Sequence, residues 1–282
     1  MPLDSLVRDM YNTPDSYTGN DRVGIELEYE GFHGWTYAGD CHHWRTESDG
    51  SLRNGGIEFI SNPLLYDVIE PAIAQAELAV AAMNLQATKR CGIHVHLNMQ
   101  PYTMGQMYSM ICLYALLEPT IYNTYALNRE DSMFAVPLAV NSDQLGAMQM
   151  DLRQINRRRV PRADRLTSTS KYSAINFHSL RSFGTIEMRQ PYCSNDFAAI
   201  RSWVQFCTRL TQVGTSYEDP LQVIEDYERD NLRTLQERMF NMSVPIDEAT
   251  QELAEDAAYM CVANREPTWQ EINWENIICA AL

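Results

Sequence analysis

Three short stretches of this 282-residue chain hold side chains in patterns that could do chemistry. Residues 23–31 read VGIELEYEG, with Glu26, Glu28 and Glu30 at every second position. Residues 91–98 read CGIHVHLN, which puts His94, His96 and Asn98 in step. Residues 184–191 read GTIEMRQP, with Thr185, Glu187 and Arg189 in step. On a β-strand, period two means one face. Three glutamates on one face repel one another. Either they line a solvated antiparallel sheet, or they form a carboxylate row aimed at divalent cations. A lone histidine is more often structural than a ligand, but two on one strand face make a metal or phosphate site a real alternative. Glu187 and Arg189 can pair as a surface ion pair, worth only ~0–1 kcal/mol. If a metal takes Glu187 instead, Arg189 is free to clamp a phosphate or carboxylate with two parallel hydrogen bonds. Glu58, in the strand-like IEF, adds one more acid. The hard carboxylates favour Mg²⁺ or Mn²⁺, with a zinc site of two histidines and one glutamate left open.

The elements that must position these groups are legible in part. In each stretch the residues between the polar ones are apolar: Val23, Ile25, Leu27 and Tyr29; Ile93, Val95 and Leu97; Ile186 and Met188. Four strands with apolar and functional groups on opposite faces predict a sheet with one face on helices and the other lining a cleft. A merely solvated sheet would not gather ExE, HxH and ExR while placing no lysine on these strands. Residues 34–56 read as turn-rich, 64–85 as an alanine-rich helix, and 104–128 as a buried helix with a break near Pro119. Further helices are expected at 143–158, 195–212, 220–240 and 246–264, and short strands at 172–178 and 184–190. Short strands with longer helices between them predict an α+β or α/β fold.

Composition narrows the partners. With 37 acidic against 22 basic residues, extended nucleic-acid binding is not expected. Residues 214–282 hold 15 acidic and 4 basic residues and read as solvated helix faces or an oligomer contact. No apolar run is long enough to span a membrane, the first residues lack a signal-peptide pattern, and the seven scattered cysteines read as reduced thiols of a cytoplasmic protein. Only Lys89 and Lys171 are lysines. The arginines at 153, 157, 158, 159, 162 and 165 read as a helix end favoured by the dipole, or as a basic rim from which Arg157 or Arg158 reaches a phosphate.

The ordered set GIELEYEG, W..ESDGSL..GGIEFIS, CGIHVHLN, KYSAINF and GTIEMRQPYCSNDFAAIRSWVQF resembles the amidoligase family, within the glutamine synthetase-like carboxylate–amine ligases. It spans roughly residues 20–210. The resemblance implies a curved, mainly antiparallel sheet with helices on its convex face, and ATP with two to three Mg²⁺ or Mn²⁺ ions on the concave one. It implies that a carboxylate is phosphorylated by ATP and then joined to an amine. Residue by residue, it implies metal ligation by Glu26, Glu28, Glu58, His94 and Glu187, with Asp49 preferred over Glu47 as a further acid. His96 falls near the ATP phosphates, Arg189 holds the moving phosphoryl group, and Lys171 and Asn176 contact phosphate or substrate. Residues 1–213 form the catalytic core, with 214–282 an acidic helical segment packed on the same domain. The turn QPYCSND departs from the family pattern, which bears on substrate choice. Glu30, Glu47 and His96 all qualify as general base. The substrates implied are small-molecule or peptide carboxylates and amines. Two other enzyme classes fit the residue types: a metal-dependent hydrolase, with zinc as a candidate metal, and a guanidino-type phosphotransferase. A binding protein that has lost turnover is a further reading, against which the intact ExE, HxH and ExR argue.

Overall fold

In the computed structural model, which describes residues 2–13, 19, 21–34, 39–127, 129–157, 159–240 and 246–262, the alternating stretches become neighbours in one sheet. Its strands are β1 (Arg22–Tyr29), β2 (Trp44–Ser48), β3 (Ile57–Ser61), β4 (Leu64–Leu65), β5 (Ile93–Asn98), β6 (Ile175–Asn176) and β7 (Thr185–Met188). The order is β2-β3-β1-β5-β7-β6, with β4 also on β1, and every pairing is antiparallel. The helices are α1 (Val7–Tyr11), α2 (Ile69–Ala82), α3 (Met104–Tyr125), α4 (Ser142–Asn156), α5 (Ala163–Thr167), α6 (Ser179–Phe183), α7 (Phe197–Gly214), α8 (Pro220–Phe240) and α9 (Glu248–Val262). The chain is therefore α+β with an open antiparallel sheet, one of the two classes its patterning leaves open and the one the family resemblance implies.

The sheet is two-faced for the reason its sequence is. Val23, Ile25, Leu27 and Tyr29 sit across from Leu97, Val95, Ile93 and, on the other side, Phe59 and Ile57. All of these are buried in one apolar cluster with side chains of α2, α3 and α7. Each fully buried Val, Leu or Ile contributes roughly 1.5–3 kcal/mol, so the apolar face fixes the register of every strand. The opposite face is then forced to carry the polar residues.

Four elements differ from the sequence reading. β2 lies inside the segment read as turns. Only Trp44 of its five residues is buried, so it shows no alternation. The Trp44 indole N–H donates to the Ala72 carbonyl at 2.7 Å and pins the strand to α2. The helix expected from residue 64 begins at Ile69, because Leu64 pairs with Val23 and is buried there. β6 is two residues rather than seven. The fourth is α3, which runs through Pro119 without a break. A proline in a helix interior costs ~3 kcal/mol or more, but α3 is buried on nearly every side and that packing outweighs it. A capping box of Thr103 and Gln106 closes its start.

α8 and α9 pack against α3. Leu232, Leu235, Met239, Ala254, Ala257 and Cys261 belong to the same apolar cluster as the sheet face. Glu225, Glu228, Glu237, Glu252 and Glu255 are exposed on the outer sides of these helices. Most of α8 is regular, with a kink at Asn231, whose φ of 65° interrupts it. No helix among the described residues is long and apolar enough to cross a membrane.

Candidate active site

Register brings the polar residues of six strands together. Across β1 and β5, Glu26 pairs with His94 and Gly24 with His96. Across β5 and β7, His96 pairs with Glu187, and β6 adds Asn176 beside Glu187. On the other side of β1, Glu28 pairs with Glu58, which pairs in turn with Glu47 of β2. Residues paired this way share a face, so a sequence in which these groups are far apart yields one continuous polar row.

His94, almost fully buried, lies at the centre. Its Nδ1 is 3.1 Å from Glu26 and 3.5 Å from Glu187, and its Nε2 is 3.6 Å from Glu28. His96 Nδ1 meets the Thr185 hydroxyl at 3.0 Å. Its Nε2 stands in an ion pair with Glu26 at 3.2 Å, outside good hydrogen-bond geometry. Asn176 donates to Glu187 at 2.6 Å, and Arg189 forms an ion pair with the same carboxylate. The Arg189 Nε also donates to the Phe134 carbonyl, which holds the guanidinium against the loop after α3. Gly92 N–H donates to Glu28 at 2.5 Å. A β-carbon at position 92 would stand 2.8 Å from His94 Nε2, so only glycine lets the strand pass this close.

Packing carboxylates together moves their protons. Burial raises the pKa of Glu58, and the negative charges of Glu26, Glu28 and Asp49 add to it, so Glu58 is pushed up to about 8. For Glu26, burial works in the same direction. Hydrogen bonds and charge from His94 and His96 outweigh it and hold Glu26 well below the usual carboxylate range. Glu187 is likewise buried, yet the charges of His96, His94 and Arg189 pull it down. His96 is held low by burial and raised more strongly by Glu26 and Glu187, with a net upward shift. In the absence of other cations, the upward shifts of His96 and Glu58 favour protons there, which neutralise part of the acidic row.

Two sets of donor atoms lie within 4.8 Å of one another: Glu26, His96 and Glu187, and Glu26, Glu58 and His94. Each set offers two carboxylates to one imidazole, a donor chemistry that suits Mg²⁺ or Mn²⁺ better than zinc. His96 Nε2, paired with Glu26 but in no well-aligned hydrogen bond, is a donor atom that a bound ion would satisfy. Next to the row, a cleft of about 270 Å³ opens beside Glu26 and His96, walled by Arg22, Arg45, Ile60, Phe183 and Thr185. The Phe183 ring stands edge-on to His96, with centroids 6.2 Å apart, and is itself exposed.

The other singled-out residues are distributed less closely. Glu28 is in the row, bound to Gly92 rather than within either donor set. Asp49 caps its own turn, accepting from Ser51 N–H and Oγ at 2.7 and 2.9 Å, with its charge felt by Glu58. Glu47 is exposed and paired with Arg45 at 3.0 Å. Glu30 is buried and occupied, accepting from Arg53 N–H at 2.9 Å and Arg90 at 3.2 Å. Lys171 is exposed, its ammonium 5.2 Å from the ring centroid of Tyr172. Arg157 is exposed at the end of α4. Arg158 lies outside the described residues. A residue that patterning misses is Arg129, which is buried in the loop after α3 beside Gly92 and Glu28. It stands in no periodic run, and nothing in NRED marks it; only the fold brings it here.

A family model described as "Putative amidoligase enzyme" matches residues 18–211, from just before β1 to nearly the end of α7. The chain belongs to this family, and at that level it is an amide-bond-forming ligase. No curated protein matches the chain.

Proposed function

We propose that the protein joins a carboxylate to an amine at the expense of ATP, through an acyl phosphate, with Mg²⁺ or Mn²⁺ held on the polar row. The observation that supports this most is the convergence of Glu26, Glu58, Glu187, His94 and His96 into two adjoining donor sets on one sheet face, with Arg189 at their edge. Two ions are expected from the two sets, with Glu28 available to a third. Bound there, the ions supply positive charge to the phosphate oxygens and offset the repulsion among the glutamates.

The residues then have the following work. A carboxylate oxygen of the acid attacks the γ-phosphorus of ATP, and the bond to the β-phosphate oxygen breaks to release ADP. This transfer needs in-line positioning and fixed charge more than covalent assistance. Arg189, tied to Glu187 and to the Phe134 carbonyl, supplies a rigid fork for the moving phosphoryl group. The amine nitrogen then attacks the acyl carbon, the C–O bond to phosphate breaks, and orthophosphate leaves. The amine proton must go to a base. Of the groups proposed for that role, Glu30 is occupied by Arg53 and Arg90, and Glu47 is exposed and paired. His96 or a neighbouring carboxylate of the row remains. The cleft bounded by Phe183, Ile60 and Gly24 has room and apolar walls for a flat ring and is proposed to take the adenine.

A thermal-shift titration tests the reading. ATP is expected to raise the melting temperature only with Mg²⁺ or Mn²⁺ present. Unchanged melting at millimolar Mg²⁺–ATP would count against it. Stoichiometric zinc without ATP binding would favour the hydrolase.

A further inference from the structure

We propose that Arg129 is a second oxyanion-binding residue of the active site, opposite Arg189, and that it holds the carboxylate or phosphoryl group of a substrate. Arg129 is 4% exposed, and among the described residues its terminal nitrogens meet the Pro191 carbonyl and the space at Gly92, with Glu28 near but not in an ion pair with it. A buried guanidinium that feels the Glu28 charge but makes no ion pair is costly, and a ligand oxyanion would supply the missing pair. What the fold supplies is orientation. One terminal nitrogen donates to the Pro191 carbonyl, and the guanidinium lies over the Tyr192 ring at 4.4 Å. Its Nε is buried with no partner. The other terminal nitrogen faces the bare α-carbon of Gly92, the spot that His94 Nε2 and Glu28 Oε2 also approach. Burial lowers the Arg129 pKa, the nearby charges of Tyr192 and Glu28 oppose this, and Arg189 is close enough to lower it further. Two arginines therefore act on one site from separate elements, one on the β7 turn and one on the loop after α3.

The position of Arg129 also says which substrate it faces. The apolar cleft lies toward the Arg22 end of β1, and Arg129 lies toward the Glu28 end, with the donor sets between. Tyr192 belongs to the turn QPYCSND, where this chain departs from the family pattern. The assignment of the anion to an acid substrate rests on the ligase reading; the binding of an oxyanion by Arg129 does not.

The test uses the full chain with two probes, inorganic pyrophosphate with Mg²⁺ and, separately, acetate, each titrated calorimetrically. Arg129→Met is expected to weaken binding of at least one probe by about tenfold or more. Arg129→Lys is expected to lose nearly as much, since it lacks the fork. The probe that responds identifies the source, phosphoryl or carboxylate. Should the Arg129 variants fail to fold, Tyr192→Leu removes the supporting ring at a half-buried position and is expected to weaken the same probe. Wild-type affinity in the folded variants, or no binding of either probe to the wild type, would overturn the assignment. Because no step of this test uses ATP, its failure is separable from failure of the ligase reading.

Discussion

At the scale of single residues, the site is governed by charge rather than by packing. Glu26, Glu28, Glu58 and Glu187 are held closer together than their repulsion favours, and His94 and His96 sit among them. Removing one acid relieves repulsion but removes a ligand. Glu187→Ala and Glu28→Ala are therefore expected to fold with near-normal melting temperature and to lose ATP turnover; calorimetry and an ADP assay on the same preparations check both halves. Full turnover in either would sink its role. Arg189→Lys is expected to be nearly as damaging as Arg189→Ala, measured as kcat, because a point charge cannot make two parallel bonds. Glu58 gives a pH prediction. Its pKa in the fold is raised from 4.5 to about 8, so its contribution to stability is full below about 4.5 and is lost as pH rises through about 8. Compared with the wild type, Glu58→Gln is expected to show a flatter fall in metal-free stability between those values. Identical pH–stability curves would contradict the shared-proton account. Mg²⁺ should displace that proton and release it to buffer.

At the scale of elements, what could be read from the chain was what one strand decides alone. Alternation in IELEY and IHVHL gives which residues share a face, because a strand's own geometry dictates it. It does not give which residue of β1 meets which of β5. Glu26 opposite His94 is set by the burial of Leu27 against Ile93 and Ile25 against Val95, which is a property of the pair. Arg129 was illegible for the same reason carried further, since its place depends on the route of a loop. Lys171 and Arg157, basic residues near family motifs in sequence, are exposed in the fold, which the sequence does not decide. β2 was missed because four of its five residues face solvent and no period appears. Gly92 tests the closeness of β5 to the site. Gly92→Ala would force a methyl against His94, Glu28 and Arg129 at 2.8–3.3 Å. The expected outcome is a stability loss of about 1–3 kcal/mol by denaturant titration, with a far larger loss of turnover.

At the scale of the whole molecule, the chain's net charge of −15 divides by location. Much of it lies on the outer faces of α8 and α9, away from the polar row, while their inner faces share one apolar cluster with α3 and the sheet. The tail is therefore expected to be needed for folding even though the family match ends at residue 211. A chain ending at residue 213 would expose the side of α3 that α8 and α9 cover. It is expected to be insoluble or to lose its cooperative thermal transition, whereas the full chain should melt in one step through residues on both sides of that point. A soluble, cooperatively melting shorter chain would show that the tail is dispensable.

The central claim is that the polar row of β1, β3, β5 and β7 performs ATP-driven amide formation. The most direct test is a reaction with ATP, Mg²⁺, and pooled carboxylates and amines, followed by mass spectrometry, with Glu187→Ala run in parallel. The account predicts ADP together with a product whose mass is the sum of one acid and one amine less a water, both absent from the variant. ADP-free conversion, or a phosphorylated amine with no amide, would contradict it.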